Sequence, residues 1–169
     1  PLIKPYVHQI QIGLVIDSWE VGMQNWTSGF EGEFCERTGY DLIKYLPAMT
    51  GKIVGSKEMT ERFLWDIRRV QADLLADNYY GEFRNLCNQY GLVSYCEPYD
   101  RGPMEELQIG SRVDGVMGEF WNGLSAIFQN NLMMRRTTKL ASSIAHINGQ
   151  KVVGAEAYTS EPESGSWQE

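Results

Sequence analysis

The sequence predicts an α/β fold: a partial (β/α)8 TIM-type barrel of about four parallel strands with intervening helices. Three observations lead there. Short apolar runs alternate with longer segments of helical periodicity, in the order strand, helix, strand, strand, helix, strand, and that order belongs to largely parallel sheets. The runs are apolar at successive rather than alternate positions, as strands covered on both faces are. Carboxylates recur where such runs give way to aromatic and small polar residues. They stand in Val15-Ile16-Asp17-Ser18-Trp19-Glu20, Ser94-Tyr95-Cys96-Glu97-Pro98-Tyr99, Met117-Gly118-Glu119-Phe120-Trp121 and Gly154-Ala155-Glu156-Ala157-Tyr158, with a weaker instance in Glu31-Gly32-Glu33-Phe34. In (β/α)8 barrels the C-terminal strand ends carry the functional residues, and a complete barrel takes about 250 residues. Four strands in 169 residues make roughly half of one. The chain is therefore expected to be an excerpt from a larger barrel enzyme.

The elements follow in order. Residues 10–16 read as a buried strand ending at Asp17. Residues 18–32, rich in Gly, Ser, Asn and Trp, have loop chemistry. Phe34, Tyr40, Leu42, Ile43 and Leu46 recur at helical spacing over 33–45, interrupted by Gly39 and closed by Pro47, with Glu33 as a candidate cap. A strong helix is predicted after Thr60, with Phe63, Leu64, Ile67, Val70, Leu74 and Leu75 on one stripe. Trp65 on that helix is expected in the core. The helical pattern runs on to Tyr90, with a break near Gly81 and Gly91 as C-cap. Residues 92–96 form the second strand, 97–103 a loop, 104–110 a short helix and 113–117 a third strand leading to Glu119. A helix over about 131–147 opens with Met133-Met134-Arg135-Arg136 and is stopped by Asn148-Gly149, and 151–157 is the fourth strand. Residues from Ser160 onward read as loop.

The totals exclude several function classes. A net charge of −7 leaves no basic face for nucleic acid, so no nucleic-acid partner is expected. No apolar stretch approaches the roughly 20 residues that span a bilayer, so no membrane insertion is expected. The N-terminus lacks the pattern of a secretory signal, which says nothing about the compartment of a parent protein. Cys35, Cys87 and Cys96 are odd in number and carry no CxxC spacing, so buried reduced thiols are expected. With only His8 and His146, a His-rich metal site is excluded; His146 reads as a helix-end imidazole. The phosphate-loop and dinucleotide glycine patterns are missing.

The long run Asp17-Ser18-Trp19-Glu20-Val21-Gly22-Met23-Gln24-Asn25-Trp26-Thr27, with Gly39-Tyr40-Asp41-Leu42 and Tyr45-Leu46-Pro47, resembles the α-L-rhamnosidases of glycoside hydrolase family 106. The similarity continues through Glu61-Arg62-Phe63-Leu64-Trp65-Asp66, Gly118-Glu119-Phe120-Trp121 and Ala141-Ser142-Ser143-Ile144-Ala145-His146-Ile147-Asn148-Gly149, and closes with Ala155-Glu156-Ala157-Tyr158-Thr159-Ser160. The resemblance implies that residues 1–169 are part of a single (β/α)8 catalytic domain of a much longer multidomain protein, and it implies hydrolysis of terminal α-L-rhamnosides with inversion and a Ca2+ ion near the sugar. It implies a carbohydrate partner with terminal rhamnose and a bacterial parent, periplasmic or secreted, whose remaining chain closes the barrel. The sequence departs from the family's pattern at Glu97-Pro98-Tyr99, where Glu-Asn-Tyr is expected, and at Ala157-Tyr158, where Ser-Phe is usual.

Glycoside cleavage needs one carboxylic acid to protonate the leaving oxygen and one carboxylate to activate water. With the resemblance, Glu20 and Glu156 become the catalytic pair. Glu20 is the expected general acid, on the expectation that Trp19 and Trp26 shield it from water, and Glu156 the expected base; the reverse assignment stays open. Glu119 and Glu97 are the metal candidates, because calcium prefers hard oxygen ligands; the alternative is that they hydrogen-bond to substrate or hold Arg101 or Arg112. Trp19, Trp26, Trp121 and Tyr158 are candidates for an apolar wall around the sugar, and Asp17 for substrate binding or loop fixing. Two further readings stay open: a non-catalytic half-barrel fragment or carbohydrate-binding module, and a barrel glycosidase with another sugar specificity.

Overall fold

The computed structural model describes residues 5–7, 9–121 and 132–159. Four strands form one sheet in the order β1 (Gly13–Ile16), β2 (Val93–Cys96), β3 (Gly115–Trp121), β4 (Gly154–Thr159). All three pairings are parallel. Spatial order follows chain order, so every strand delivers its C-terminal end to one rim. This is the half-barrel that the alternation of apolar runs predicts. The expectation of burial on both faces fails for β1, where Leu14 and Val15 are exposed. β1 is an edge strand whose one neighbour is β2.

Between β1 and β2 the chain builds a helical layer. Helix α1 (Phe30–Thr38) begins three residues before the predicted start and stops at Gly39, whose φ of 79° ends it in the left-handed conformation. A separate 3-10 helix spans Ile43–Thr50 with Pro47 inside it. The one helix expected over 33–45 is thus two. Helix α2 (Lys57–Leu75) is capped by Ser56, whose hydroxyl accepts the Met59 N–H at 3.1 Å. Thr60, expected to precede the helix, lies inside it; its buried hydroxyl donates to the carbonyls of Val54 and Ser56 and accepts the Val54 N–H. A π-helical turn (Ala76–Gly81) joins α2 to α3 (Glu82–Gln89). Gly91, at φ 71°, turns the chain into β2 as expected.

Two cores result. One packs Cys96 and Val116 of the sheet against Ala76 and Tyr80 of the π-turn, Ile109 of α4 (Glu106–Gly110) and Ala141, Ile144 and Ala145 of α5 (Leu132–Ile147). The other joins Phe30, Phe34, Leu42 and Ala48 to Phe63, Ile67 and Val70 of α2. Trp65 belongs to neither: it is exposed on the outer face of α2, one step off the apolar stripe. Cys87 and Cys96 are buried free thiols, but Cys35 is exposed. Helix α5 lies directly on β3, because a Cβ on Gly118 would stand 2.7 Å from Thr138 Cα. No helix among the described residues is long and apolar enough to cross a membrane.

Candidate active site

The two strands bearing the later acids run further than their sequences suggest. β3 continues to Trp121 and β4 to Thr159, so Glu119 and Glu156 lie within the ladder as register partners. The pleat then points both side chains to the same face. Asp17 follows β1 directly, and Glu97 follows β2, its N–H donating to the Ile16 carbonyl at 2.9 Å. One oxygen each of Asp17, Glu97 and Glu156 lies within 4.8 Å of the others. Glu119 stands outside that triad, but its carboxyl is raised above the ordinary value, first by burial and then by the charges of Glu156, Asp17 and Glu20, while the Trp121 side chain pulls it down. Five carboxylates from four strand ends therefore share one rim.

Glu97 is the deepest of them, 1% exposed. Burial pushes its carboxyl up to about 8, and the adjoining Asp17 and Glu156 add to the shift. The Tyr99 hydroxyl lies beside it and acts the other way, without the alignment of a full hydrogen bond, and Glu97 Oε2 has no donor. None of the ion pairs among the described residues involves a rim acid. Arg112, a possible partner for Glu97 or Glu119, is held by Asp77 at 2.9 Å. A buried carboxylate without donor or cation is costly, and three oxygens at this spacing form a hard donor set that fits a calcium ion. Glu97 was expected in such a site with Glu119; the structure groups it with Asp17 and Glu156 instead.

Glu20 is exposed, its Oε1 accepting the Ser18 hydroxyl at 3.3 Å. Trp19 and Trp26 do not shield it as expected. The Trp19 indole donates to the Gly22 carbonyl and meets Tyr79 edge-on, and Trp26 packs on Phe30. Trp121 is half-buried beside Glu119, and Tyr158 is exposed against Phe120 at 5.0 Å. Asp17 fixes its loop as one reading held, with Oδ1 accepting the Ser18 N–H at 2.9 Å. Trp26 also lines a neighbouring cavity.

A family model described as alpha-L-rhamnosidase, that of glycoside hydrolase family 106, matches residues 7–168. The chain belongs to this family. It is 48% identical over 155 residues to a Formosa agariphila protein named "Putative beta-glucuronidase", a match covering 92% of this chain and 12% of that protein. Its fold matches the structure of a rhamnosidase from Novosphingobium sp. PP1Y with a TM-score of 0.74 and 34% identity, over 85% of this chain and 14% of that one. The chain thus spans a small part of the length of these relatives.

Sequence reasoning missed three residues that shape this family 106 rim. Tyr99, 2% exposed, underlies the acids, and the charges of Glu97, Glu119 and Glu156 push its hydroxyl far up after burial does. Thr137 on α5 clasps the Glu119 backbone, accepting its N–H at 3.2 Å and donating to its carbonyl at 2.9 Å. Thr159 donates to Glu156 Oε1 at 2.5 Å. That last bond depends on an irregularity after Phe120, where Trp121 pairs with Thr159 and Tyr158 sits at φ 60°. The Ala157-Tyr158-Thr159 segment carries no sequence signal for such a bulge.

Proposed function

We propose that the protein is a glycoside hydrolase that removes terminal α-L-rhamnose with inversion, and that this chain supplies half of its (β/α)8 barrel with both catalytic carboxylates. The observation that supports the reading best is the gathering of Asp17, Glu20, Glu97, Glu119 and Glu156 on one rim, with no ion pair among the described residues reaching any of them. Structural acids are paired; a rim of unpaired ones serves a ligand. The exposed apolar edge at Leu14 and Val15 is where the remaining strands would close the barrel.

In this reading Glu20 donates its proton to the glycosidic oxygen as the bond breaks. Glu156 takes a proton from the water that attacks the opposite face of the anomeric carbon, and the single displacement inverts the configuration. Inverting pairs hold their carboxyl groups about 6.5–9.5 Å apart so that this water fits. The Thr159 hydroxyl fixes one oxygen of Glu156, leaving the other to face water or cation. Asp17, Glu97 and Glu156 would hold calcium, which when bound would neutralise these acids and offer vicinal sugar hydroxyls an electrophilic contact. Trp121 and Tyr158 flank the acids as apolar surface for the methyl and ring faces of rhamnose.

The name of the Formosa relative favours a second reading, a glycosidase acting on a glucuronide. A rim of carboxylates repels a uronate at the reacting position, which weighs against it. Hydrolysis of an aryl α-L-rhamnoside and of an aryl β-glucuronide by the full-length polypeptide, with and without a chelator, separates the two. The rhamnoside alone is expected to react, proton NMR is expected to show the inverted anomer first, and chelation is expected to suppress the rate. Activity surviving in the Glu20→Gln, Glu156→Gln double variant defeats the two-carboxylate assignment.

A further inference from the structure

Next to the rim lies a cavity of about 470 Å³ that the chemistry above leaves unused. Its wall comes from the loop after β1, the first turn of α1 and the end of α2 with the π-turn, and includes Asn25, Trp26, Glu33, Gln71, Asn78 and Tyr79. Its volume lies within the range of about 300–1,000 Å³ usual for small-ligand sites.

Three observations point to its occupant. Gln71 is 9% exposed, and no described residue hydrogen-bonds its carboxamide. An amide that the protein leaves unpartnered at the edge of an open cavity can hydrogen-bond a ligand hydroxyl. Trp26 and Tyr79 bring exposed rings to the same space, and Tyr79 sits on the π-helical turn that re-aims the residues after α2. Such turns inside helices recur at functional sites. Finally, among the described residues the wall's one charged side chain is Glu33, already paired with Arg37 at 3.4 Å. Aromatic faces with amides suit a sugar ring, and a carboxylate with no free cation suits an uncharged one.

One ring contact links the cavity to the rim. Trp19 meets Tyr79 with ring centroids 5.9 Å apart, and Trp19 immediately precedes Glu20. From this we infer that the cavity is a subsite for a neutral pyranose unit of the glycan, on the leaving-group side of the bond that Glu20 protonates. Its placement relative to the cleaved bond rests on the glycosidase reading above. Gln71 and Asn78 donate to ring hydroxyls while the sugar face lies on Trp26 or Tyr79.

The test is calorimetric titration of the full-length polypeptide with cellobiose and lactose, neutral disaccharides that lack rhamnose, against digalacturonic acid. A neutral disaccharide is expected to bind the unaltered protein, to bind Gln71→Leu and Asn78→Ala about tenfold more weakly, as loss of one buried hydrogen bond implies, and to bind far better than digalacturonate. Asn78 is exposed, so its replacement keeps the fold if that of Gln71 does not. Equal binding by both variants, or digalacturonate binding as well as the neutral sugars, overturns the subsite. Rhamnoside hydrolysis without disaccharide binding overturns it too and spares the rim assignment. Disaccharide binding without rhamnoside hydrolysis supports the cavity while defeating the activity proposed above.

Discussion

Calcium binding by the full-length polypeptide should strengthen steeply between pH 6 and pH 8, and Glu97 should be the cause. The carboxyl of Glu97 is raised from its ordinary 4.5 to about 8, first by burial and then by Asp17. A cation binds the deprotonated form, so calcium must displace a proton wherever the pH lies below that value. One proton leaving at about 8 makes the apparent affinity roughly 100-fold weaker at pH 6 than at pH 9. A carboxyl at its ordinary value would leave the curve nearly flat over the same range. The sign for folding is linked. Because the folded state holds this proton more tightly, Glu97 contributes stability below about pH 4.5 that is lost as pH rises through about 8 unless calcium is bound. Titration with calcium at four pH values, read by tryptophan fluorescence, measures the slope. Glu97→Gln should bind calcium weakly and with little dependence on pH. An unaltered protein whose affinity is flat from pH 6 to 8, or a Glu97→Gln variant that keeps the full slope, would refute the reasoning.

Three other outcomes are expected. Gly118→Ala places a methyl 2.7 Å from Thr138 Cα and should cost about 1–3 kcal/mol through overpacking, seen as a lower melting temperature; an unchanged melt would mean that α5 does not seat directly on β3. Thr159→Val removes the donor to Glu156 Oε1, and kcat on the aryl rhamnoside should fall about tenfold with an altered pH profile and little change in KM, the loss of one charge-assisted bond; Thr159→Ser should restore it. Ser56→Ala deletes the cap on the Met59 N–H and should cost about 1 kcal/mol, read as faster amide exchange in the first turn of α2.

The strands were legible because parallel strands are uninterrupted apolar runs, and glycines and prolines bound them. The acids at their ends were legible as a set, since carboxylates next to tryptophan and tyrosine at four such ends are costly unless used. What stayed hidden depended on geometry that spacing does not encode. Gly39 reads equally as an interior break or a cap, and only its positive φ divides the segment into α1 and a 3-10 helix. The end of α2 keeps an apolar stripe through a π-turn, which sequence periodicity absorbs as noise. Trp19 and Trp26 flank Glu20 in the chain, yet their rings find Tyr79 and Phe30, contacts made across the fold. Cys35 and Trp65 were assigned to the interior by residue type, but helix phase puts both on outer faces.

The two ends of the sheet treat the same chemical group in opposite ways, and that contrast is the strongest argument for where the function lies. Asp114, just before β3, is buried enough to push its carboxyl up. The Ser94 N–H and hydroxyl and the Arg84 guanidinium at 2.7 Å outweigh that and hold it below the usual range. It is a satisfied acid that locks β2 to β3. At the other end Glu97 is buried with an oxygen that has no donor, and Glu119 and Tyr99 are pushed up with it. The same rim holds both non-glycine residues of positive φ among those described, Asp100 at 97° and Tyr158 at 60°. Unfavourable backbone and unbalanced charge persist only where the surrounding fold over-determines them. Had these acids been structural, a nearby arginine would relieve them, as Arg84 relieves Asp114. Arg112 instead pairs with Asp77, no ion pair among the described residues reaches the rim, and the proposed reading gives these acids to a ligand that brings its own positive charge or its own hydroxyls.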